Sequence, residues 1–327
     1  MKLGIIGTGK IVQAFLPTLS SLENVEIIAM QSTERSFESA CELAKQYGIP
    51  TVTTDFHELY SAGIDTVYIA TPNFLHYSNC KEVLNAGLNA IVEKPFTSTD
   101  AEAEELAFIA KGRNLFLFEA ITTLYLENYR KIQEWLPRLG TIKLVESKYS
   151  QYSSRYDAFK NGEILPAFDP EKSGGALMDI NLYNLHFVLG LFGRPLSQKY
   201  YANIERNIDT SGILAMQYPG FQAVCIGAKD CEGDYGSIIQ GTDGTIRTEL
   251  PPGLIGKVTL KLHDGTVEEF DDGMARQREV PEFKAFAKAI EENDLTFCYE
   301  MLEKSLTVSQ VQTAARLDAG IRFKADQ

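Results

Sequence analysis

The stretch Leu3-Gly4-Ile5-Ile6-Gly7-Thr8-Gly9-Lys10-Ile11-Val12 decides the first part of the fold. The apolar run 3–6 predicts a buried strand, and the turn after it leads into a helical pattern that starts at Lys10. Gly7 allows a tight turn, and Gly9 lets backbone N–H groups approach a pyrophosphate at the positive end of a helix. We therefore expect a dinucleotide to be bound by Gly7, Thr8, Gly9, Lys10 and Ile11. Val12 leaves the fingerprint incomplete, so a plain strand-to-helix turn is an alternative.

The first ~118 residues alternate apolar runs with helical patterns. The strand-like runs are 3–6, 25–30, 66–70, 90–92 and 115–118, and the helical patterns are 10–22, 34–47, 74–86 and 99–111. Continuous apolar runs are typical of parallel strands that are covered on both faces. Gly48, Gly87 and Gly112 are predicted to end helices, and Ser98 or Thr99 with Glu102 predicts a capping box. The alternation predicts an α/β Rossmann domain with a doubly wound parallel sheet.

From about residue 141 the pattern changes to shorter β segments. These are 141–150, 199–206, 211–218, 222–228, 235–241, 244–249, 256–263 and 265–270, with helices at 174–192, 280–291 and 299–319. Hairpin turns are predicted at 218–221, 242–244 and 263–265. We expect a dinucleotide-binding domain at 1–119, then an α+β domain at 120–327 with a large, mostly antiparallel open sheet. Since the second face of such a sheet needs a cover, we expect a homodimer or a dimer of dimers through that sheet.

Composition limits the partners and the compartment. The net charge of −13 disfavours nucleic acid. No apolar run approaches the roughly 20 residues that cross a membrane, and no signal-peptide pattern is present at the beginning. The five cysteines are scattered without CxxC spacing, which fits a reducing compartment and disfavours both disulfides and a thiolate metal site. We expect a cytoplasmic protein with no membrane segment and no metal.

The second predicted strand ends in Gln31-Ser32, without the acidic residue that holds the ribose hydroxyls in NAD-specific sites. Ser32 and Arg35 are candidates to bind the 2′-phosphate of NADP. A solvated loop is the alternative reading of both residues. The sequence thus favours NADP slightly and leaves NAD open.

The fourth strand ends at Thr71-Pro72-Asn73, with His76 three residues further on. Ligands bind at the carboxyl ends of parallel strands, so these four residues are candidate cofactor contacts. Asn73 can hydrogen-bond the nicotinamide ribose, and Pro72 can form the floor under the ring. Asn73 as an ordinary helix N-cap is an alternative that does not exclude this role.

Residues 91–96, Ile-Val-Glu-Lys-Pro-Phe, lie at the end of the next predicted strand, 90–92. Lys94 is predicted at the carboxyl edge of the sheet, where its ammonium can reach a substrate oxygen beside the nicotinamide. Glu93 can hold that ammonium or a ribose hydroxyl. The Lys94–Pro95 bond is open to the cis form, which costs an X-Pro bond only about 0.5–1 kcal/mol. A surface lysine in a loop is the alternative.

The second candidate constellation is the segment 174–186, which contains Asp179, Tyr183 and His186. Their i, i+4, i+7 spacing predicts one face of a single helix, and most of the remaining circumference is apolar. A narrow polar stripe on a buried helix is costly unless it lines a pocket or meets partners. A lysine close to Tyr183 would favour the phenolate, which suits acid/base duty. A satisfied structural network is the alternative.

These segments together resemble the glucose–fructose oxidoreductase/inositol dehydrogenase family (Gfo/Idh/MocA). The matching pieces are Gly7-Thr8-Gly9, Ala70-Thr71-Pro72-Asn73, Glu93-Lys94-Pro95, Phe118-Glu119-Ala120 and Gly174-Gly175-Ala176-Leu177-Met178-Asp179 with Tyr183. The resemblance implies that Lys94 positions the substrate and that Asp179 and Tyr183 line the reacting site. Tyrosine at 183 resembles the branch of glucose–fructose oxidoreductase and dimeric dihydrodiol dehydrogenase. Asn181 in place of a glycine, Leu124 in place of an arginine, and Leu126-Glu127 in place of His-Pro depart from the family pattern.

The expected activity is hydride transfer between NADP(H) or NAD(H) and a hydroxyl or carbonyl carbon of a sugar, polyol or cyclic diol. Tyr183 would take the hydroxyl proton, Lys94 would bind the same oxygen, and Asp179 would orient a neighbouring hydroxyl, with His186 as a further substrate contact. Two alternatives stay open from the sequence. One is an NAD(P)-binding regulator without turnover. The other is an enzyme with tightly held cofactor that uses transient oxidation for elimination or glycoside cleavage.

Overall fold

The computed structural model describes residues Met1–Gln327. By its internal contacts the chain divides into two compact units. Unit 1 comprises Met1–Ala120 and Glu279–Ser305, and unit 2 comprises Ile121–Arg278 and Leu306–Gln327. The chain first passes from unit 1 to unit 2 after Ala120, one residue from the predicted domain boundary between residues 119 and 120. The segment Glu279–Ser305, which the sequence-based division placed with the second domain, packs within unit 1.

Unit 1 contains a six-stranded parallel sheet. Its strands are β1 (Lys2–Ile6), β2 (Glu26–Gln31), β3 (Thr51–Thr53), β4 (Thr66–Ile69), β5 (Asn89–Glu93) and β6 (Leu117–Ala120), in the order 3-2-1-4-5-6. Every neighbouring pair is parallel. This confirms the predicted doubly wound sheet, whose strand order reverses between β1 and β4 and so opens a crevice there. The sequence analysis did not find β3, which has only three residues.

Helices connect the strands, and some of them begin or end on local sequence signals. They are α1 (Lys10–Leu19), α2 (Phe37–Tyr47), α3 (Phe56–Ser61), α4 (His76–Asn85) and α5 (Asp100–Arg113). The capping box of Thr99 and Glu102 is confirmed at the start of α5. Gly48 ends α2 with a left-handed conformation, as predicted. The prediction for Gly112 was wrong, because Gly112 lies inside α5 and Asn114 (φ 54°) takes the left-handed position.

Unit 2 contains an eight-stranded, mostly antiparallel sheet. Its strands are β7 (Ile142–Ser150), β8 (Ser197–Glu205), β9 (Ile208–Tyr218), β10 (Phe221–Ala228), β11 (Gly236–Gly241), β12 (Gly244–Thr248), β13 (Val258–Leu262) and β14 (Val267–Phe270), in the order 14-13-12-11-7-10-9-8. Only β7 and β10 are parallel neighbours. The three predicted hairpins join β9 to β10, β11 to β12 and β13 to β14. The predicted open sheet is confirmed.

One face of this sheet is covered by helices. Those of unit 2 are α6 (Glu127–Trp135), α7 (Tyr156–Lys160), α8 (Ala176–Asp179) and α9 (Asn181–Phe192). Nine of the twelve residues of α9 are buried, and its leucines join Val145 and Cys225 of the sheet in one apolar core. The sequence analysis missed α6 and α7. It also joined α8 and α9 into one helix, with consequences for the candidate site.

Two helices end the chain, α10 (Glu279–Glu291) and α11 (Leu295–Asp318). Phe286 of α10 stacks on Phe118 of β6 with ring centroids 4.6 Å apart, and Phe283 meets the ring of Tyr68 edge-on at 5.3 Å. These aromatic contacts place α10 in the core of unit 1. No helix of the chain has both the length and the apolar character needed to cross a bilayer.

The last residues of unit 2 are fixed by a buried ion pair. Arg316 of α11 is 1 % exposed, and its guanidinium contacts both carboxylate oxygens of Asp326 at 2.6 and 2.7 Å. The guanidinium also lies 4.0 Å from the ring centroid of Phe323. Burial raises the pKa of Asp326, but the hydrogen bonds from Arg316 and from the N–H of Phe323 outweigh burial and hold the pKa below its usual value.

Replacing Arg316 by methionine is expected to lower the free energy of unfolding by about 3–5 kcal/mol, because the Asp326 carboxylate is left buried without its counter-charge. The double variant Arg316→Met/Asp326→Leu should recover most of that loss. Since the folded-state pKa of Asp326 is depressed, the pair stabilises the protein above about pH 4 and loses its effect as the pH falls below that value. Urea unfolding followed by circular dichroism at pH 7 and pH 3 checks both effects. Equal stability of Arg316→Met and the wild type at pH 7 would contradict them.

Candidate active site

The glycine turn after β1 has the geometry that the sequence predicted for it. Gly7 has φ +116°, and a Cβ there would lie 2.5 Å from the carbonyl oxygen of Ala70, so only glycine fits. Gly9 immediately precedes α1, and no atom lies within 4 Å of the position that its Cβ would occupy. No side chain caps the first turn of α1. The N–H groups at this helix start are therefore placed as an anion site requires.

Small polar side chains cluster where β2 ends. Ser32 is buried, and its hydroxyl donates to the carbonyl of Thr33 at 3.3 Å, whereas Arg35 is exposed on the next turn. The hydroxyls of Thr33 and Ser36 are 2.9 Å apart on the same turn. Sequence analysis named Ser32 and Arg35 and missed Thr33 and Ser36. No acid follows β2 directly, and the one acid of the turn, Glu34, accepts the Thr54 hydroxyl at 2.9 Å, so a guanidinium and hydroxyls remain to suit a phosphate better than a ribose diol.

The loop that carries Lys94 is held from both sides. The Tyr68 hydroxyl donates to Glu93 at 2.5 Å, and the other Glu93 oxygen accepts the backbone N–H of Lys94 at 3.2 Å. The N–H of Phe96 donates to Glu119 at 3.1 Å. The Lys94–Pro95 peptide is cis, one of the two forms left open by the sequence. Neighbouring strands therefore fix Lys94 at the carboxyl edge of β5.

His76 connects two of the predicted site loops. It is 1 % exposed, with Nδ1 2.8 Å from the carbonyl oxygen of Pro95 and Nε2 2.9 Å from that of Thr71. Burial, and secondarily the charge of Lys94, lower the pKa of His76. The neutral imidazole carries one N–H, so it donates to one of the two carbonyls. The structure thus gives His76 a positioning contact, while its predicted contact with the cofactor stays a prediction.

Asn73 is not a helix N-cap, contrary to one of its two predicted roles. It is the first residue of a 3₁₀ turn whose N-cap position is held by Pro72, and Leu75 precedes α4. The Thr71 hydroxyl accepts a hydrogen bond from Asn79 at 3.2 Å, which steadies this loop from within α4. The contact of Asn73 with a ribose stays a prediction.

Asp179, Tyr183 and His186 do not lie on one continuous helix. The helix breaks at Ile180 (φ −118°, ψ −43°), so Asp179 ends α8 while Tyr183 and His186 lie on α9. The prediction of a single stripe was therefore wrong. Residues of the sheet contact both ends of α8, since Asp209 accepts the N–H of Leu177 at 2.6 Å and Lys229 binds Asp179. His186 is fully buried, and its predicted role as a substrate contact stays a prediction.

Asp179 is paired with a lysine that the sequence analysis missed. The ammonium of Lys229 lies 2.5 Å from Asp179 Oδ2 and 3.1 Å from the carbonyl oxygen of Ala167. It also lies 4.7 Å from the ring centroid of Phe168. The two charged residues are 50 positions apart, and no local pattern marks Lys229 as other than the residue after a strand.

Tyr183 lies among residues from other parts of unit 2. The ring of Tyr149 on β7 is 6.0 Å away, and the guanidinium of Arg278 lies 6.0 Å from the Tyr183 centroid. A Cβ at Gly253 would come within 2.8 Å of the Tyr183 ring. Tyr183 is 8 % exposed, so its ring is packed. Sequence reasoning found Tyr183 but none of these neighbours.

Two asparagines of α9, Asn181 and Asn184, form a buried network. Asn184 donates to Asn181 at 2.8 Å and to the carbonyl oxygen of Ile226 at 2.9 Å, and it accepts from Ser147 at 2.9 Å. Asn181 fits because the facing strand residue is Gly227, where a Cβ would lie 2.6 Å from that of Asn181. The asparagine at 181, which departs from the family's glycine, is thus accommodated by the glycine at 227 in the same unit. The side-chain amide of Asn181 holds α9 on the sheet.

Two family models match most of the chain. Residues 1–120 match the oxidoreductase family with an NAD-binding Rossmann fold, and residues 129–247 match the Gfo/Idh/MocA C-terminal domain. The resemblance stated from the sequence motifs is therefore confirmed.

Curated relatives and solved structures agree with this assignment. Scyllo-inositol 2-dehydrogenase (NADP(+)) IolU of Bacillus subtilis (strain 168) is 34% identical over 333 residues, covering 100% of this chain and 99% of that protein. Trans-1,2-dihydrobenzene-1,2-diol dehydrogenase of Xenopus tropicalis is 29% identical over 226 residues, covering 67% and 66%. The fold matches that of KijD10, a 3-ketoreductase from Actinomadura kijaniata in complex with NADP and TDP-benzene, with a TM-score of 0.82, 22% identity, and coverage of 99% and 98%. The chain belongs to the Gfo/Idh/MocA family of NAD(P)-dependent oxidoreductases.

Proposed function

We propose that this protein oxidises a secondary hydroxyl of a sugar or polyol, or reduces the corresponding ketone, with NADP(H) preferred to NAD(H). The observation that carries the proposal is the fixed loop of Lys94, which Glu93, His76 and Glu119 hold at the carboxyl edge of the sheet. Rossmann folds bind dinucleotides at that edge. The names of the relatives support the substrate class, since they include an inositol and a dihydrodiol dehydrogenase.

The proposed roles follow from the chemistry of the side chains. In the oxidation direction, Tyr183 takes the proton of the reacting hydroxyl while Lys94 donates a hydrogen bond to the same oxygen. The C–H bond breaks as the carbon–oxygen double bond forms, and a bound nicotinamide would supply the acceptor for the hydride. Asp179 accepts a hydrogen bond from a neighbouring hydroxyl and thereby orients the ring. Residues 7–11 hold the pyrophosphate, and Thr71, Pro72 and Asn73 contact the nicotinamide riboside.

The cofactor preference is tested by titrating purified protein with NADPH and, in parallel, with NADH, followed by nucleotide fluorescence. We expect micromolar binding of NADPH and at least ~10-fold weaker binding of NADH, because Arg35 and the hydroxyls around it suit a 2′-phosphate. Arg35→Ala should weaken NADPH binding roughly tenfold and leave NADH binding unchanged. Failure of folded, nucleotide-free protein to bind either nucleotide would refute the proposed function, and equal binding of both would refute the preference.

The assembly that fits unit 2 is a homodimer, or a dimer of dimers, through the outer face of its sheet. That face exposes large apolar side chains on β7, β8 and β9, with Leu144, Tyr201 and Ile213 being 53%, 63% and 44% exposed. Tyr201 and Ile213 are cross-strand partners, so they form a continuous patch of the kind that a second copy covers. Sedimentation equilibrium that returned the 36.4 kDa of one chain would contradict the proposal.

The scattered cysteines support a cytoplasmic location, which fractionation of cells tests.

A further inference from the structure

The ammonium of Lys229 in unit 2 is buried, which is unusual for a lysine. Lys229 follows β10 directly and is 3 % exposed, and its backbone N–H continues the strand pairing by donating to the carbonyl of Thr210 at 2.8 Å. A lysine ammonium is strongly hydrated in water, so burying it is costly unless its three donors find partners. A carboxylate, a carbonyl and an aromatic face surround it. The site is therefore built for a charge.

The carboxylate that balances this charge lies on the side of Lys229 that faces solvent. The side chain of Asp179 is 32% exposed, compared with 3% for Lys229. The ammonium thus contacts the carboxylate from the protein interior. A buried partner of this kind orients the group that faces the substrate. Its 2.5 Å contact is a charge-assisted hydrogen bond, which holds Oδ2 of the carboxylate in place.

A second acid fixes the other end of the same short helix. Asp209 is fully buried, accepts the N–H of Leu177 at 2.6 Å and accepts the Tyr200 hydroxyl at 2.8 Å. Burial raises the pKa of Asp209, while these hydrogen bonds and the charge of Lys229 oppose that rise. Gly175 is required beside it, since a Cβ there would lie 2.2 Å from the carboxylate. Sheet residues thus hold both ends of α8, and Asp179 has little freedom to move.

We propose that Lys229 is a positioning residue for the reaction, holding Asp179 as an ionised acceptor for a hydroxyl next to the oxidised carbon. The inference rests on the proposed function and narrows its substrate class. An ionised carboxylate accepts hydrogen bonds and donates none, so the neighbouring substrate group must be a donor. The substrates are therefore vicinal diols and polyols, and a single isolated alcohol is a poor substrate.

The test compares Lys229→Met, Asp179→Asn and the double variant with scyllo-inositol and NADP⁺. Lys229→Met is expected to lower kcat/KM by roughly 10²-fold, because the acceptor is misplaced while the reacting groups remain. If Lys229 acts through Asp179, the double variant should be no slower than Asp179→Asn alone. NADPH binding should be unchanged in all three. Lys257→Met, which removes a partly exposed lysine paired with Glu249 and Glu269, is the matched control and should retain wild-type activity.

A second readout separates positioning from a purely structural role. The wild type should prefer trans-1,2-cyclohexanediol to cyclohexanol in kcat/KM by more than tenfold, and Lys229→Met should lose most of that preference. Wild-type activity in folded Lys229→Met, additive losses in the double variant, or an unchanged diol preference would each overturn the proposal. If Lys229→Met does not fold, Lys229→Gln provides the same comparisons. Wild-type protein that turned over none of these alcohols would instead refute the proposed substrate class itself.

Discussion

Lys94→Ala is expected to lower kcat by roughly 10²-fold or more with little change in protein stability. The contacts that fix the loop around Lys94 are made by Glu93, Pro95 and Phe96 and by the backbone N–H of Lys94. Removing the side chain therefore deletes the ammonium and leaves the loop in place. Steady-state oxidation of scyllo-inositol at saturating NADP⁺ measures the loss in kcat.

The matched control for Lys94 is Lys81→Ala. Lys81 is a half-exposed lysine of α4 in the same unit, where its ammonium lies 2.7 Å from Glu105. We expect this variant to keep the wild-type kcat, since an exposed ion pair contributes little. A folded Lys94→Ala protein with wild-type turnover would remove Lys94 from the mechanism and leave it as a surface lysine in a loop.

Tyr183→Phe is expected to reduce kcat by a similar factor, in the range of about 10²–10⁴ for loss of a general acid or base. The ring is packed against Tyr149 and close to Arg278, and phenylalanine keeps that packing while it removes only the hydroxyl. Folding and NADPH binding should therefore be retained. Single-turnover mixing of the NADP⁺ complex with scyllo-inositol separates the chemical step from product release.

Tyr235→Phe provides the comparison for this variant. Its ring contacts Tyr149 at 6.1 Å from the other side, and the residue is 38% exposed, so it shares the aromatic environment without a proposed role in proton transfer. We expect its kcat to equal that of the wild type. Equal losses in Tyr183→Phe and Tyr235→Phe would show that the hydroxyl of Tyr183 contributes no more than a neighbouring hydroxyl, and would remove Tyr183 from proton transfer.

The fold was largely predictable because its signals are local and repeated. Apolar runs, helical periods and hairpin turns lie within about ten residues of one another, so both sheets followed from the sequence. The missed elements lack such signals, as in the three residues of β3. The packing of Phe283 and Phe286 in unit 1 depends on rings more than 160 residues earlier in the chain, which no local pattern reports.

The candidate site was predictable where a residue lies at the end of a strand. Lys94 is such a residue, and its predicted position at the carboxyl end of β5 is confirmed, while its role stays a prediction. Lys229 was missed because its importance depends on its contact with Asp179, which lies 50 positions earlier in the chain. The prediction of one helical stripe through Asp179 was wrong because the helix is interrupted at Ile180, and distant residues hold the short helix α8 at both ends. Tertiary contacts of this kind override helical periodicity.

The division of unit 1 into two chain segments has a consequence for the order in which the protein matures during synthesis. The ribosome completes residues 1–120 long before it makes Glu279–Ser305. Until that late segment emerges, the nascent Rossmann half lacks the rings that cover Phe118 and Tyr68. Newly made chains therefore carry an uncovered aromatic patch while residues 121–278 are being synthesised, and a gene fragment cut after residue 120 would keep that patch permanently.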